Sequence, residues 1–137
     1  MLSRRGFASC AICAITGFIA TEASAQGAPP PGSGGVTRKL ISKSDGPAGY
    51  EILLMEAEIE AGVAVGRHTH PGVESAYVLE GGFELPIQGA ETKMLKPGEA
   101  FQVPANTPHA GGKAGTAKTR LIITYVVEKG KPLASPA

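Results

Sequence analysis

Short runs in which apolar and polar residues alternate follow one another along most of this chain. The clearest is the stretch from Arg120 to Val127, where every second residue is apolar, and the stretch from Glu51 to Met55 alternates less clearly. This period of two predicts half-buried β-strands, because successive side chains of a strand point to opposite faces. Glycine, proline, aspartate and asparagine separate the runs, as expected of turns. The predicted strands cover residues 37–42, 50–59, 64–70, 75–79, 83–87, 91–95, 100–103 and 118–127.

No segment shows a long helical period, so the predicted fold class is all-β. Pro86 falls inside one predicted strand and indicates an edge or a bulge there, because proline cannot donate to a strand ladder. We expect one folded domain over residues 37–130, followed by a C-terminal tail at 131–137. Residues 26–36 are rich in proline and glycine and are predicted to form a flexible tether without a core.

The first 25 residues have the pattern of a bacterial export signal. A basic start at Arg4 and Arg5 precedes a largely apolar stretch over residues 7–20, and Ala23-Ser-Ala is a small-residue cleavage signal. The apolar stretch is short and is interrupted by polar and glycine residues, which argues against a transmembrane helix. We therefore expect removal of residues 1–25 and a periplasmic or secreted protein. Residues 3–7, Ser-Arg-Arg-Gly-Phe, favour the twin-arginine route, and a general secretory signal is the alternative.

The composition of the chain argues against several functions and partners and identifies none. Both cysteines, Cys10 and Cys13, lie inside the predicted signal, so the C-x-x-C spacing there is not expected to act in the exported protein. Lysine and arginine number 13 against 12 aspartates and glutamates, which gives no reason to expect nucleic acid or an anionic membrane as a partner. The oligomeric state stays open between a monomer and a homodimer.

The chain has three histidines, and their spacing suggests a metal site. His68 and His70 are two residues apart in a predicted strand, so their imidazoles project to the same side. Glu74 enters the next strand and can add a carboxylate oxygen, while His109 must arrive from another part of a closed antiparallel barrel. Three nitrogens and one oxygen suit a first-row transition ion better than calcium or magnesium. Tetrahedral zinc would close such a site, whereas an octahedral ion would leave positions open for substrate.

These residues resemble the two conserved motifs of the cupin superfamily. The first motif, G-x5-H-x-H-x3-E-x6-G, is matched at Gly62, His68, His70, Glu74 and Gly81. The second, G-x5-P-x-G-x2-H-x3-N, is matched at Gly98, Pro104 and His109 but has Asn106 and Lys113 where the family prefers glycine and asparagine. Asparagine tolerates a left-handed backbone, so we expect the turn at Asn106 to be kept. The resemblance implies a double-stranded β-helix, or jelly roll, over residues 37–130.

The resemblance also implies one divalent transition metal ion per chain and a small-molecule substrate or ligand. Manganese or iron is favoured, and nickel, copper and zinc are alternatives. The leading interpretation is a metal-dependent oxidoreductase of the dioxygenase kind, whose catalytic residues the sequence does not identify. The alternatives are a metal- or ligand-binding module of the cell envelope without catalysis, and a metal-dependent isomerase.

Some residues around the site are expected either to line an apolar pocket or to be ordinary core. Arg67 is expected to face away from His68 as a surface charge. Glu99 and Lys113 are more consistent with a solvated face than with the mouth of the site. The candidates for the pocket wall are Ala76, Val78, Phe83, Phe101, Val103 and Tyr125.

Overall fold

The computed structural model describes residues 34–137, and the described part of the chain is all-β. The predicted export signal, its cysteine pair and residues 26–33 of the predicted tether lie outside the described residues. The strands are β1 (Val36–Asp45), β2 (Tyr50–Ile59), β3 (His68–Thr69), β4 (Gly72–Glu80), β5 (Phe83–Leu85), β6 (Lys93–Leu95), β7 (Ala100–Val103), β8 (Thr119–Glu128) and β9 (Ser135–Pro136).

The predicted strands are found, and the main differences are in length. Of the strand predicted at 64–70, only β3 is paired as a strand. Before it, Ala64 forms an isolated bridge with Lys113. The run predicted at 83–87 ends at Leu85, directly before Pro86, where the missing N–H ends the pairing of β5 with β6. Within residues 34–137 no helix is long and apolar enough to cross a membrane.

The strands form an antiparallel jelly roll with one large sheet. Its order is β1-β2-β8-β4-β7, and two smaller pairs, β5-β6 and β3-β9, accompany it. In β8 buried residues alternate with half-buried ones along all ten positions, and β2 shows the same pattern. The buried face of the large sheet packs against β5 and β6; the ring of Phe83 meets that of Phe101 edge-on at 5.8 Å. The core therefore lies between the two layers, and the histidines lie at its border.

Two turns next to these strands depend on unusual backbone conformations. Asn106 has φ of 57°, which confirms that asparagine keeps the left-handed turn here. Gly81 has φ of 75°, and a side chain there would meet the backbone of the strand opposite, because its first carbon would lie 2.4 Å from the carbonyl oxygen of Lys118. Glycine at this position allows β4 to turn closely past the start of β8.

The last residues form an element that the sequence did not predict. In β9, Ser135 pairs with Thr69 and Pro136 pairs with His68, so the predicted tail at 131–137 lies against β3. Leu133, just before it, is buried in the core. The segment lacks any alternation of apolar and polar residues, and it is held by backbone pairing and by one apolar side chain. Its position next to His68 makes it part of the site described below.

Candidate metal centre

The structure brings the three histidines together at one end of the barrel. His68 lies in β3, His70 follows it, and His109 lies between β7 and β8. His68 and His109 are joined by two backbone hydrogen bonds, 2.8 and 3.0 Å long, which place the two chain segments side by side. One ligand nitrogen from each ring lies within 4.8 Å of the others. The alternation that placed His68 and His70 on one side is confirmed by a distance of 4.8 Å between their ring centroids.

Each of the three imidazoles is anchored through its Nδ1 atom to a backbone carbonyl. The distances are 2.7 Å from His68 to Gly66, 2.6 Å from His70 to Leu133 and 2.9 Å from His109 to Thr107. A carbonyl oxygen can only accept, so Nδ1 carries the proton in all three rings. In the neutral form each Nε2 atom is then an unprotonated donor of a lone pair. This is how metal-binding histidines are usually oriented, with the second nitrogen fixed by a hydrogen bond.

Glu74 brings a buried negative charge to the same centre. Its Oε2 atom lies 3.0 Å from Nε2 of His109 and 3.2 Å from Nε2 of His70. Burial alone would raise the pKa of the Glu74 carboxyl, but the imidazoles of His109 and His70 beside it lower that pKa to about 2. The carboxylate therefore stays ionised at any physiological pH.

The pKa values of two histidines move in opposite directions. Burial lowers the pKa of His68 below its usual value. Burial also opposes the charged form of His109, but the hydrogen bonds with Glu74 and Thr107 and the charge of Glu74 outweigh it and raise the pKa of His109. Without a metal ion, a proton on Nε2 of His109 can therefore neutralise Glu74. A cation at the centre would take the place of that proton.

One buried atom of the centre lacks a hydrogen bond and supports the fit to a metal ion. Nε2 of His70 has no hydrogen-bond partner, and its 3.2 Å contact with Glu74 is not aligned as a hydrogen bond. An unsatisfied buried nitrogen costs about 1 to 3 kcal/mol, and coordination of a cation would remove that cost. Imidazole nitrogens together with a carboxylate are a donor set for first-row transition ions.

A largely apolar cavity lies beside His68 and His109, on the side of the core. It has a volume of about 40 Å³ and is partly open to solvent. Phe83, Phe101 and Tyr125 are buried core residues that also line the cavity, whereas Ala76, Val78 and Val103 belong to the core without lining it. The ring of Tyr125 lies 4.7 Å from that of His70, measured between centroids. Burial raises the pKa of Tyr125 well above its usual value and the charge of Glu74 adds to this, so its hydroxyl stays protonated.

A second, outer groove leads from the surface to His68 and His70. It runs between β3, the end of the chain and two arginines, Arg38 and Arg67. Arg67 is exposed, as predicted, but the expectation that it faces away from the site is wrong, because it lines this groove and donates to Gln88. Arg67 precedes β3 and lies in no strand, so the alternation of strand side chains does not apply to it.

The remaining side chains considered from the sequence lie away from the histidines. Glu99 and Lys113 are both exposed, and neither lines the cavity or the groove. The carboxylate of Glu99 accepts a hydrogen bond from the backbone N–H of Lys96 and so closes its own turn. Sequence reasoning missed Arg38 and the end of the chain. Arg38 could have been found from its spacing of two from Val36, which is buried.

Comparison with known proteins identifies the family. A family model described as the cupin domain matches residues 55–127, more than half of the chain. The chain belongs to the cupin family. The matched region holds the three histidines and Glu74, the same residues that converge at this cupin's candidate metal centre. No curated protein sequence matches the chain.

Solved structures with the same fold are similar to this cupin at low sequence identity. The polyketide cyclase RemF from Streptomyces resistomycificus is 24% identical, with a TM-score of 0.61, and the alignment covers 78% of this chain and 74% of that one. A cupin-like protein from Thermotoga maritima is 22% identical, with a TM-score of 0.61 and 77% of each chain covered. The DMSP lyase DddQ from Ruegeria pomeroyi is 20% identical, with a TM-score of 0.58 over 63% of this chain. This cupin spans 43% of the length of that lyase.

Proposed function

We propose that this cupin binds one divalent transition metal ion through His68, His70, His109 and Glu74. The observation that carries the proposal is the arrangement of the three imidazoles, each with Nδ1 bound to a carbonyl and Nε2 turned to the centre. Glu74 is proposed as the fourth ligand because Oε2 lies beside two of those nitrogens. Manganese or iron is favoured, and nickel, copper and zinc are the alternatives.

The proposed activity is the metal-dependent oxidation of a small organic molecule, in the manner of a dioxygenase. A bound ion with open coordination positions would supply the redox chemistry. The residues of the chain would position the substrate and exclude water, since Phe83, Phe101 and neighbouring aliphatic side chains form an apolar wall. The buried hydroxyl of Tyr125 would donate a hydrogen bond to an oxygen of the bound substrate.

A second candidate is chemistry without oxidation, in which the ion acts as a Lewis acid in an isomerase or a related enzyme. Tyr125 favours it, because its protonated hydroxyl beside the metal centre would donate a hydrogen bond to a substrate oxygen that the ion polarises. Two structures with this fold come from a lyase and from a polyketide cyclase, neither of which is named as an oxidase. A binding module without catalysis is the third candidate.

Metal analysis followed by a comparison with and without oxygen tests these proposals. The purified protein should contain about one transition metal ion per chain, and His70→Ala should lose it. Oxygen consumption with a panel of small organic acids, alcohols and phenols would support the oxidative proposal. Product formed equally well without oxygen would favour the second candidate. A loaded protein that binds panel compounds and transforms none would favour the binding module.

The proposed location is the periplasm or the exterior of the cell. Its support is the N-terminal sequence alone, in which a basic start, an apolar stretch and Ala23-Ser-Ala follow one another. Cell fractionation with detection of the full-length and shortened protein tests it.

A further inference from the structure

Arg38 occupies an unusual position in the large sheet. It lies in β1 opposite Ala57 of β2, and Ala57 is buried, so Arg38 is on the inward-facing side of its strand. Its neighbour Lys39 lies opposite Glu56 and is exposed on the other side. A guanidinium group is therefore directed to the interior end of the barrel, where most neighbours are apolar.

The same arginine lines both spaces beside the histidines. Arg38 borders the inner cavity together with Glu74, Phe101 and Tyr125, and it borders the outer groove together with Arg67. His68 and Tyr125 also line both spaces. Arg38 thus lies where the route from the surface meets the cavity.

No counter-charge accounts for this arginine. Within residues 34–137, Arg38 forms no ion pair and no side-chain hydrogen bond, whereas Arg120 contacts three glutamates. None of the described residues that line the outer groove is acidic. Among the described residues that line the inner cavity, Glu74 is the one acid, and it faces His70 and His109. No acidic side chain in the described part of the chain pairs with Arg38 or Arg67, so their charges give the entrance a positive potential that attracts anions.

We propose that Arg38 binds the carboxylate of a small organic acid whose other end reaches the histidine centre. A planar guanidinium can donate two parallel hydrogen bonds to a carboxylate, and such pairs combine strength with a fixed orientation. The apolar wall of Phe83 and Phe101 would contact the carbon part of the same molecule. Arg67, further out, would increase the rate of capture through its charge. This inference deepens the proposed function and rests on it, because it takes the cavity beside the metal centre as the substrate site.

Matched pairs of ligands test the charge requirement. Acetate, propionate and benzoate would each be titrated against acetamide, propionamide and benzamide, which have the same shape without the charge. Binding would be measured by NMR chemical-shift changes, on metal-free protein and on protein loaded with zinc. We expect at least one carboxylate to bind about tenfold or more tightly than its amide, because an arginine–carboxylate pair adds charge-assisted hydrogen bonds. Equal affinity within every pair would overturn the proposal.

Variants of neighbouring residues in β1 identify the group responsible. Arg38→Met should weaken the binding of carboxylates far more than that of amides and so remove the preference, and Arg38→Lys should keep part of it. Lys39→Met is the matched control, since it removes one positive charge from the opposite face of the same strand. Histidine NMR signals at unchanged positions would establish that each variant is folded. A preference for carboxylates that survives Arg38→Met, or that Lys39→Met removes equally, would refute the assignment.

The metal-free measurements separate this proposal from the proposed function. A preference that appears only in loaded protein, and that Arg38→Met does not change, would mean that the ion alone holds the carboxylate; the metal centre would stand and the role of Arg38 would fall. If the protein binds no transition metal but shows a preference for carboxylates that depends on Arg38, the role of Arg38 would stand and the metal centre would fall.

Discussion

Because Glu74 pairs with His109, the free energy of unfolding should depend on pH differently in the metal-free and the metal-loaded protein. The perturbation is Glu74→Gln, which keeps the shape of the side chain and removes its charge. A pKa lowered from 4.5 to about 2 corresponds to about 3 kcal/mol in favour of the ionised carboxyl in the folded protein. In metal-free protein the free energy of unfolding of the variant should therefore be lower by up to about 3 kcal/mol at pH values where both Glu74 and His109 are charged.

The pH window follows from the directions of the two shifts. The folded pKa of Glu74 is lowered, so its contribution to stability is complete above its unfolded value and is lost as pH falls through about 2. The folded pKa of His109 is raised, so its contribution is complete below its unfolded value of 6.5 and is lost as pH rises through the folded value. Both contributions are present between about pH 4.5 and 6.5, and the destabilisation by Glu74→Gln should be largest there.

Urea unfolding with a metal chelator at pH 5.5 and at pH 8.5 measures the effect, and an NMR titration of His109 follows its protonation. The loss in Glu74→Gln should be clearly smaller at pH 8.5, and the pKa of His109 should be lower in the variant than in the original protein. The metal-free protein should lose stability between pH 5.5 and pH 8.5. The metal-loaded protein should gain stability over the same range, because the ion competes with protons for the imidazoles. An equal loss at both pH values, with the pKa of His109 unchanged, would refute the reasoning.

Four further predictions concern the metal and the export signal. His70→Ala should remove most of the bound metal and lower the melting temperature, since a ligand bound to the folded state adds stability, whereas Thr69→Ala should keep the metal; full occupancy in the first variant would contradict the ligand assignment. Occupancy measured by calorimetry should fall below about pH 6, near the usual histidine pKa, and retention down to about pH 4 would point to other ligands. Mass spectrometry of the protein from its native host should find Gln26 at the amino terminus, and an intact initiator methionine in the periplasm would overturn this. Changing Arg4 and Arg5 to lysine should block export while the native exported protein carries manganese or iron, because a barrel folded before export can be loaded in the cytoplasm; normal export, or copper or zinc as the main native metal, would break that link.

The sequence predicts that the three histidines converge, because their spacing reflects local geometry. Two histidines at positions 68 and 70 of an extended segment must point to the same side, and in the structure their rings lie next to each other. The motif also locates Gly81, where the close passage of two strands excludes a side chain. Both features depend on a few neighbouring residues, which a pattern of residue types describes directly.

The surroundings of the ligands could not be predicted to the same extent, because they depend on distant backbone groups. The carbonyl that anchors His70 belongs to Leu133, and carbonyls leave no trace in a pattern of side chains. The two residues of β9 pair through their backbone as well, so their side chains carry no signal of the strand. A single arginine in an edge strand is usually solvated, so Arg38 gave no strong signal; its spacing of two from buried Val36 indicates the inward side, and the register with Ala57 confirms it.

The position of β8 in the large sheet determines the order in which the molecule can be completed during synthesis. β8 lies between β2 and β4 and pairs with both, although it is the last long strand to leave the ribosome. Until it emerges, β4 with Glu74 has no connection through the sheet to β2, and His70 lacks a carbonyl that is 63 residues further along. Nascent chains therefore expose histidines whose tautomers are not yet fixed, and an ion captured at that stage would meet a different set of nitrogens. The proposed metal site is complete only in the finished barrel, so the compartment in which β8 closes the sheet would decide which ions compete for it.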